Sequence, residues 1–168
     1  MTTSEPAPLP LVSLRVSTDS TDATKAFAAA LAPVAKPGDR LALVGPLGAG
    51  KTQFAKGFAV GLGIDDVVNS PSFTLMAEYE GRLTLFHQDL YRLADAGEVL
   101  AGGLLDERQD DGVTLSEWAD RLDEGLDPAR LTVAIEPTGA ATRDIEISGR
   151  GPAAERYAAA ARSWLAAA

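Results

Sequence analysis

The sequence predicts an α/β fold, a three-layer sandwich on a mixed, partly antiparallel sheet. Three observations carry this. The apolar run LALV at 41–44 leads straight into a glycine-rich turn and then a helical stretch, the order that a buried parallel strand requires. Strand and helix patterns alternate in the first part of the chain, as in parallel α/β sheets. After residue 73 strand patterns dominate and are joined by short turns, which adds an antiparallel portion.

The elements follow in order. Residues 1–10 hold three prolines and no periodicity, so they predict a flexible arm ahead of a single domain over 11–168. Leu11 to Val16 reads as a short strand. Ser17 to Thr24 is rich in Ser, Thr and Asp, a helix-start signal. TKAFAAALAPVA then reads as a helix ending before Pro37-Gly38. After the strand at 41–44 and the turn, QFAKGFAVGLG is helical. FTLMAEYE (73–80) and RLTLFH (82–87) read as a hairpin turning near Glu80-Gly81. Residues 95–108 predict a helix and GVTLSEW (112–118) a strand. LTVAIE (131–136) and TRDIEIS (142–148) are two more strands around the turn-rich PTGA. The alanine-rich tail 152–168 predicts a helix anchored by Tyr157, Trp164 and Leu165.

The turn after LALV carries the chemistry. Gly45-Pro46-Leu47-Gly48-Ala49-Gly50-Lys51-Thr52 satisfies G-x-x-x-x-G-K-[ST] at every fixed position. Small residues let successive backbone N–H groups curl around a phosphate. The following helix adds the positive end of its dipole. Lys51 is placed for the β- and γ-phosphates and the Thr52 hydroxyl for Mg²⁺. The pattern arises by chance on the order of once in a hundred chains of this length, and the strand and helix around it cut that further. The fold is therefore expected to be P-loop NTPase-like, with ATP and Mg²⁺ as cofactors.

Such a loop needs an acid for the metal, usually at the end of a nearby strand. Glu117, closing GVTLSE, and Asp89, closing LTLFHQD, are both candidates, and a solvated acid at a strand end is the bland alternative for each. His87, the one histidine of the chain, shares side-chain parity with Asp89. As a packed, hydrogen-bonded residue it needs no function, and without a second His or Cys it is a poor transition-metal ligand. The hydroxyl-rich stretch Asn69-Ser70-Pro71-Ser72-Phe73-Thr74 reads as a plain connection or as a loop that senses the γ-phosphate.

Bulk composition narrows the classes. Of 168 residues, 46% are apolar and 23% charged, and the net charge is −9. That balance argues against direct gripping of nucleic acid, which needs clustered Lys and Arg. With no cysteine there is no disulfide, thiol catalysis or cysteine-type zinc site. No apolar run has membrane-spanning length and no secretory signal opens the chain, so a cytoplasmic protein is expected.

Taken together, GPLGAGKT, the downstream VNSPSFTL, HQDLYR and SEW resemble the TsaE family. Members are small P-loop ATPases of bacterial tRNA threonylcarbamoyladenosine biosynthesis. The order and spacing of the four blocks match, and the resemblance runs from about residue 13 to about 150. It implies a cytoplasmic ATPase working with a transferase and its companion protein on the adenosine next to the anticodon. The chain would meet tRNA only indirectly. By position, the resemblance gives Thr52 and Glu117 to Mg²⁺, Lys51 to phosphate and Asp89 to hydrolysis. Lys51, Asp89 and Glu117 would form the catalytic set. Gly45, Gly48, Ala49, Gly50, Lys51, Thr52 and Gln53 would hold the nucleotide, with Trp118 close to it and Thr21 and Thr24 bordering the adenine. Tyr91 and Arg92 would shape the surroundings of Asp89 or meet a partner. Two positions depart from the family pattern: Pro46 stands where aspartate is frequent, and Ser116, where an aliphatic residue is frequent, weakens the strand reading there.

Two other readings use the same loop. A small-molecule kinase would need an acceptor pocket and an arginine-bearing lid, and no segment here reads as a lid. An adaptor would use ATP only to close an interface.

Overall fold

The computed structural model describes residues 9–69, 76–89, 107–117 and 131–167. Its frame is one seven-stranded sheet in the order β1-β7-β6-β2-β5-β4-β3. The strands are β1 (Leu11–Thr18), β2 (Arg40–Val44), β3 (Met76–Glu80), β4 (Thr84–Asp89), β5 (Val113–Glu117), β6 (Leu131–Pro137) and β7 (Arg143–Arg150). The four central strands β6, β2, β5 and β4 run parallel, while β1, β7 and β3 join antiparallel at the two edges. The mixed sheet of the sequence reading is thus present, with its antiparallel portion split between both edges.

Side-chain parity divides the sheet into unlike faces. Val16, Leu41, Leu43, Leu85, Val113, Leu115, Val133, Ile135, Ile145 and Ile147 share one core with the helices. These helices are α1 (Thr21–Leu31), α2 (Lys51–Gly61) and α3 (Pro152–Ala167). The opposite face of the central strands is buried but polar. Ser116 Oγ donates to Gln88 Oε1 at 2.7 Å, and Arg40 donates to Gln109 Oε1 at 2.8 Å. Ser116 therefore does not weaken β5: a serine fits a buried strand when its hydroxyl is paired.

Each helix has a local cause. Ser20 caps α1, its side chain accepting from Ala23 N at 3.0 Å, the N-cap role of a short hydroxyl residue. Pro33 falls in a 3-10 turn, Ala32–Val34, so α1 stops earlier than the sequence pattern implied. Along α2, Gly57 and Gly61 lie one turn apart. A Cβ on either would strike the α1 backbone, at Lys25 and Ala29. Glycine is what lets these helices touch main chain to main chain.

Helix α3 buries Ala154, Tyr157, Ala158 and Ala161. The Trp164 ring meets Phe27 edge-on at 5.1 Å between centroids. Leu165, expected as an anchor, is 42% exposed. It continues the buried stripe by spacing, but one turn past Ala161 the helix runs beyond the surface that covers it. At the base of β2, Asp39 ties α3 to the sheet. It accepts from Arg156 at 2.7 and 3.0 Å, Tyr157 Oη at 2.7 Å and Lys36 N at 2.9 Å.

The segment 95–106 expected as helical lies outside the described residues, and Glu107–Asp111 form a 3-10 turn. The arm 1–8, the stretch 70–75, and Tyr91, Arg92 and Trp118 also lie outside them.

Candidate functional site

The C-terminal ends of β2, β5 and β4 lie side by side, the edge where open α/β sheets hold their ligands. Register brings the predicted residues there. Leu43 stands opposite Glu117, and Glu117 opposite Asp89. The glycine-rich turn leaves β2 at this edge and closes into α2.

The turn conformation depends on its glycines. Gly50, the N-cap of α2, has φ +109°, a left-handed backbone that L side chains rarely adopt. No side chain caps α2, and a helix N-terminus directs its first N–H groups toward an anion. Ala49 is buried, while Pro46, Leu47 and Gly48 are exposed. Lys51 is 5% exposed. Its Nζ donates to Gly45 O at 2.5 Å and Pro46 O at 3.1 Å, so the ammonium lies across the mouth of the turn. Gln53 is half-buried on the first turn of α2.

Thr52, the next residue, turns to the strand acid. Its Oγ1 donates to Glu117 Oε1 at 2.9 Å, across 65 residues of sequence. The other oxygen of Glu117 meets His87 Nε2 at 2.6 Å. Glu117, Asp89 and His87 are all almost fully buried, at 3%, 4% and 0% exposure. Of the two strand-end acids, it is Glu117 that the fold joins to the threonine, with Asp89 beside it on the next strand. His87 is packed and hydrogen-bonded, as its bland reading expected, but its partner is Glu117.

A hydroxyl and a carboxylate converging at the start of α2 form an oxygen donor pair that fits Mg²⁺, a hard cation that takes few protein ligands and keeps phosphate and water in its remaining positions. Among the described residues no group of three or more His, Cys, Asp or Glu gathers as a metal site. The fit therefore rests on this pair.

The sequence reading missed one residue of the site. Arg143, at the start of β7, donates through Nε to Ala49 O at 2.7 Å and through NH2 to Gly48 O at 3.3 Å. Its NH1 also reaches Thr142 O at 2.8 Å and Gly139 O at 3.1 Å. It grips the outer carbonyls of the turn. Nothing local in TRDIEIS marks it, because the contact depends on β7 pairing beside β6. Arg143 is also the register partner of Thr18 on β1, which brings the start of α1 to the same edge. There Thr21 is exposed. Thr24 is buried, and its hydroxyl is paired with Thr18 Oγ1 at 2.7 Å.

Comparison with known proteins gives a consistent family. The family model for "Threonylcarbamoyl adenosine biosynthesis protein TsaE" matches residues 18–145. A protein of Bacillus subtilis (strain 168) named tRNA threonylcarbamoyladenosine biosynthesis protein TsaE is 47% identical over 139 residues. That match covers 82% of this chain and 87% of the relative. A protein of the same name from Treponema pallidum is 40% identical over 111 residues, 66% of this chain and 82% of the relative. The crystal structure of Bacillus subtilis YdiB superposes with a TM-score of 0.72 at 38% identity, covering 94% of this chain and 97% of that one. A half-matched loop motif would not give this coverage; the chain belongs to the TsaE family of threonylcarbamoyladenosine biosynthesis proteins.

Proposed function

We propose that this chain binds and hydrolyses ATP with Mg²⁺, and that it thereby supports threonylcarbamoylation of the tRNA adenosine next to the anticodon. It acts with a transferase and its companion protein, and in the cytoplasm. The observation that carries the reading is the Thr52–Glu117 hydrogen bond at the head of the phosphate-loop helix. It joins the two halves that a P-loop hydrolase needs.

Each residue then has a task. The turn 45–50 offers backbone N–H groups to the phosphates, and Lys51 moves from the loop carbonyls to the β- and γ-phosphates. Thr52 and Glu117 hold Mg²⁺, which when bound offsets the negative charge of those phosphates. Asp89 sits one strand over from Glu117, where a carboxylate orients the attacking water. Trp118, Thr21 and Thr24 belong to the nucleotide's surroundings. No described helix is long and apolar enough to cross a membrane, which is compatible with that location.

Hydrolysis needs charge stabilisation beyond Lys51 and Mg²⁺, and an arginine supplied by a partner is worth roughly a thousandfold or more. The isolated chain is therefore expected to hydrolyse ATP slowly and to be accelerated by the transferase complex. The accelerating surface would include 69–74 and Tyr91-Arg92. Reconstitution with both partner proteins and tRNA tests this, following phosphate release and modified nucleoside together. Lys51→Ala should abolish both. Full hydrolysis without partners, or stimulation unaffected by substitution of Ser72, Tyr91 and Arg92, would refute the partner arm. Equal nucleoside formation with a non-hydrolysable analogue would favour the adaptor. ADP release driven by a small acceptor alone would favour the kinase.

A further inference from the structure

We propose that His87 is a positioning residue whose function is to fix the carboxylate of Glu117; this rests on the nucleotide-site reading above. The ring is fully buried in β4, and Nε2 lies 2.6 Å from Glu117 Oε2. An ionised carboxylate only accepts, so Nε2 carries the proton in this contact. Nδ1 is buried and has no hydrogen-bond partner among the described residues. Among the described residues the imidazole therefore has one directed polar contact, and that contact is Glu117.

The arrangement locks the acid at both ends. Oε1 accepts from Thr52 and Oε2 from His87. The terminal torsion of a glutamate is broad when free; with both oxygens held it has one setting. The neighbour on the next strand, in register, is Asp89. Two carboxylates side by side on adjacent strands repel. The donor from His87 keeps Glu117 turned toward the head of α2 in spite of that repulsion. Loss of the donor would leave Glu117 held by Thr52 alone and Oε2 buried without a partner. The effect falls on the metal: outer partners of ligating groups typically change metal affinity by about 10–100-fold. Nucleotide contacts made by Lys51 and the turn are separate from it.

The test compares His87→Phe, which keeps a ring but removes the donor, with His87→Gln, whose side-chain amide places a donor at similar reach. Mg²⁺ is titrated at fixed fluorescent ATP analogue, with metal-free binding as the baseline. His87→Phe should raise the Mg²⁺ requirement about tenfold or more, with metal-free nucleotide binding unchanged and His87→Gln close to wild type. Lys51→Ala runs in parallel. If it binds nucleotide like wild type, the nucleotide-site reading fails. If it loses nucleotide while His87→Phe keeps the wild-type Mg²⁺ requirement, the inference about His87 alone is overturned. A variant that does not fold is covered by a second measurement on the wild-type chain. With one histidine in the sequence, its imidazole nitrogen resonances need no assignment by mutation. They should show a proton on Nε2 that is slow to exchange with solvent. A proton on Nδ1 with a bare Nε2, or a ring in free exchange with water, overturns the proposal.

Discussion

Replacing Asp39 by alanine should destabilise the protein by about 3 kcal/mol. Asp39 accepts four hydrogen bonds: two from Arg156, one from Tyr157 Oη and one from Lys36 N. Tyr157 is fully buried, so its hydroxyl loses its acceptor with no water to replace it, a cost of about 1–3 kcal/mol. Breaking a fully buried ion pair costs about 3–5 kcal/mol. Here the Arg156 side chain is 23% exposed and NH1 keeps Val34 O at 2.5 Å, which holds the total to the lower end. At about 2–4 °C per kcal/mol for a chain this size, Tm should fall by about 6–12 °C. Urea unfolding should show a lower midpoint with an unchanged slope. Adding Tyr157→Phe to Asp39→Ala removes the orphaned hydroxyl, so the double variant should recover about 1 kcal/mol. The pH dependence has a definite sign. Burial pushes the Asp39 carboxyl up, but the bonds from Arg156, Lys36 N and Tyr157 outweigh it and hold it below the ordinary carboxylate value. The unfolded chain then binds the proton more readily, and the stabilisation is present above about pH 3.9 and lost as pH falls through the lower folded value. Wild type and Asp39→Ala should converge in acid. A loss under about 1 kcal/mol, or a double variant less stable than the single one, would refute the account.

Other outcomes follow from the site. Glu117→Ala should raise the Mg²⁺ requirement for nucleotide binding, whereas Asp89→Ala should leave binding mostly intact and lower the hydrolysis rate; titration and phosphate release distinguish them, and the opposite pattern would exchange the two roles. Mg-ATP should change tryptophan fluorescence through Trp118, so the signal should vanish in Trp118→Phe and persist in Trp164→Phe, whose indole packs on Phe27. Gly57→Leu should force α2 from α1, at a cost of about 1–3 kcal/mol, and weaken nucleotide binding because Lys51 and Thr52 open the same helix; calorimetry on the purified variant reads both effects.

Local pattern made the strands, helices and phosphate loop legible, because each is written in consecutive residues. LALV and the loop are legible almost to the residue, while α2 opens at Lys51, two residues ahead of the helical stretch read from Gln53. Pairing was not legible in the same way. The strand-end pattern offers both Glu117 and Asp89, and only the family resemblance separates their roles; what no local pattern shows is the parallel register of β4 and β5 that sets them side by side and the Thr52 hydroxyl that pairs with Glu117. His87 looked ambiguous for the same reason, since its partner lies 30 residues away on another strand. Arg143 and Asp39 carried no signal: one sits at the mouth of a strand after a polar turn, the other in a Pro-Gly-Asp stretch that reads as a bend. Leu165 misled because spacing predicts a buried stripe but not where the covering surface ends.

The grip of Arg143 on the phosphate turn gives the β6–β7 hairpin a second use. By topology its second strand, β7, is an appendage, added antiparallel to the outer side of the four parallel strands. Yet its turn region supplies the guanidinium that holds the back of the loop, and β1 in turn holds Arg143 through its pairing with Thr18. Trimming the chain to its parallel core would therefore leave the glycine-rich loop without a backing wall. A substitution in β1, at the far rim of the sheet, has a direct mechanical route to the glycine-rich loop.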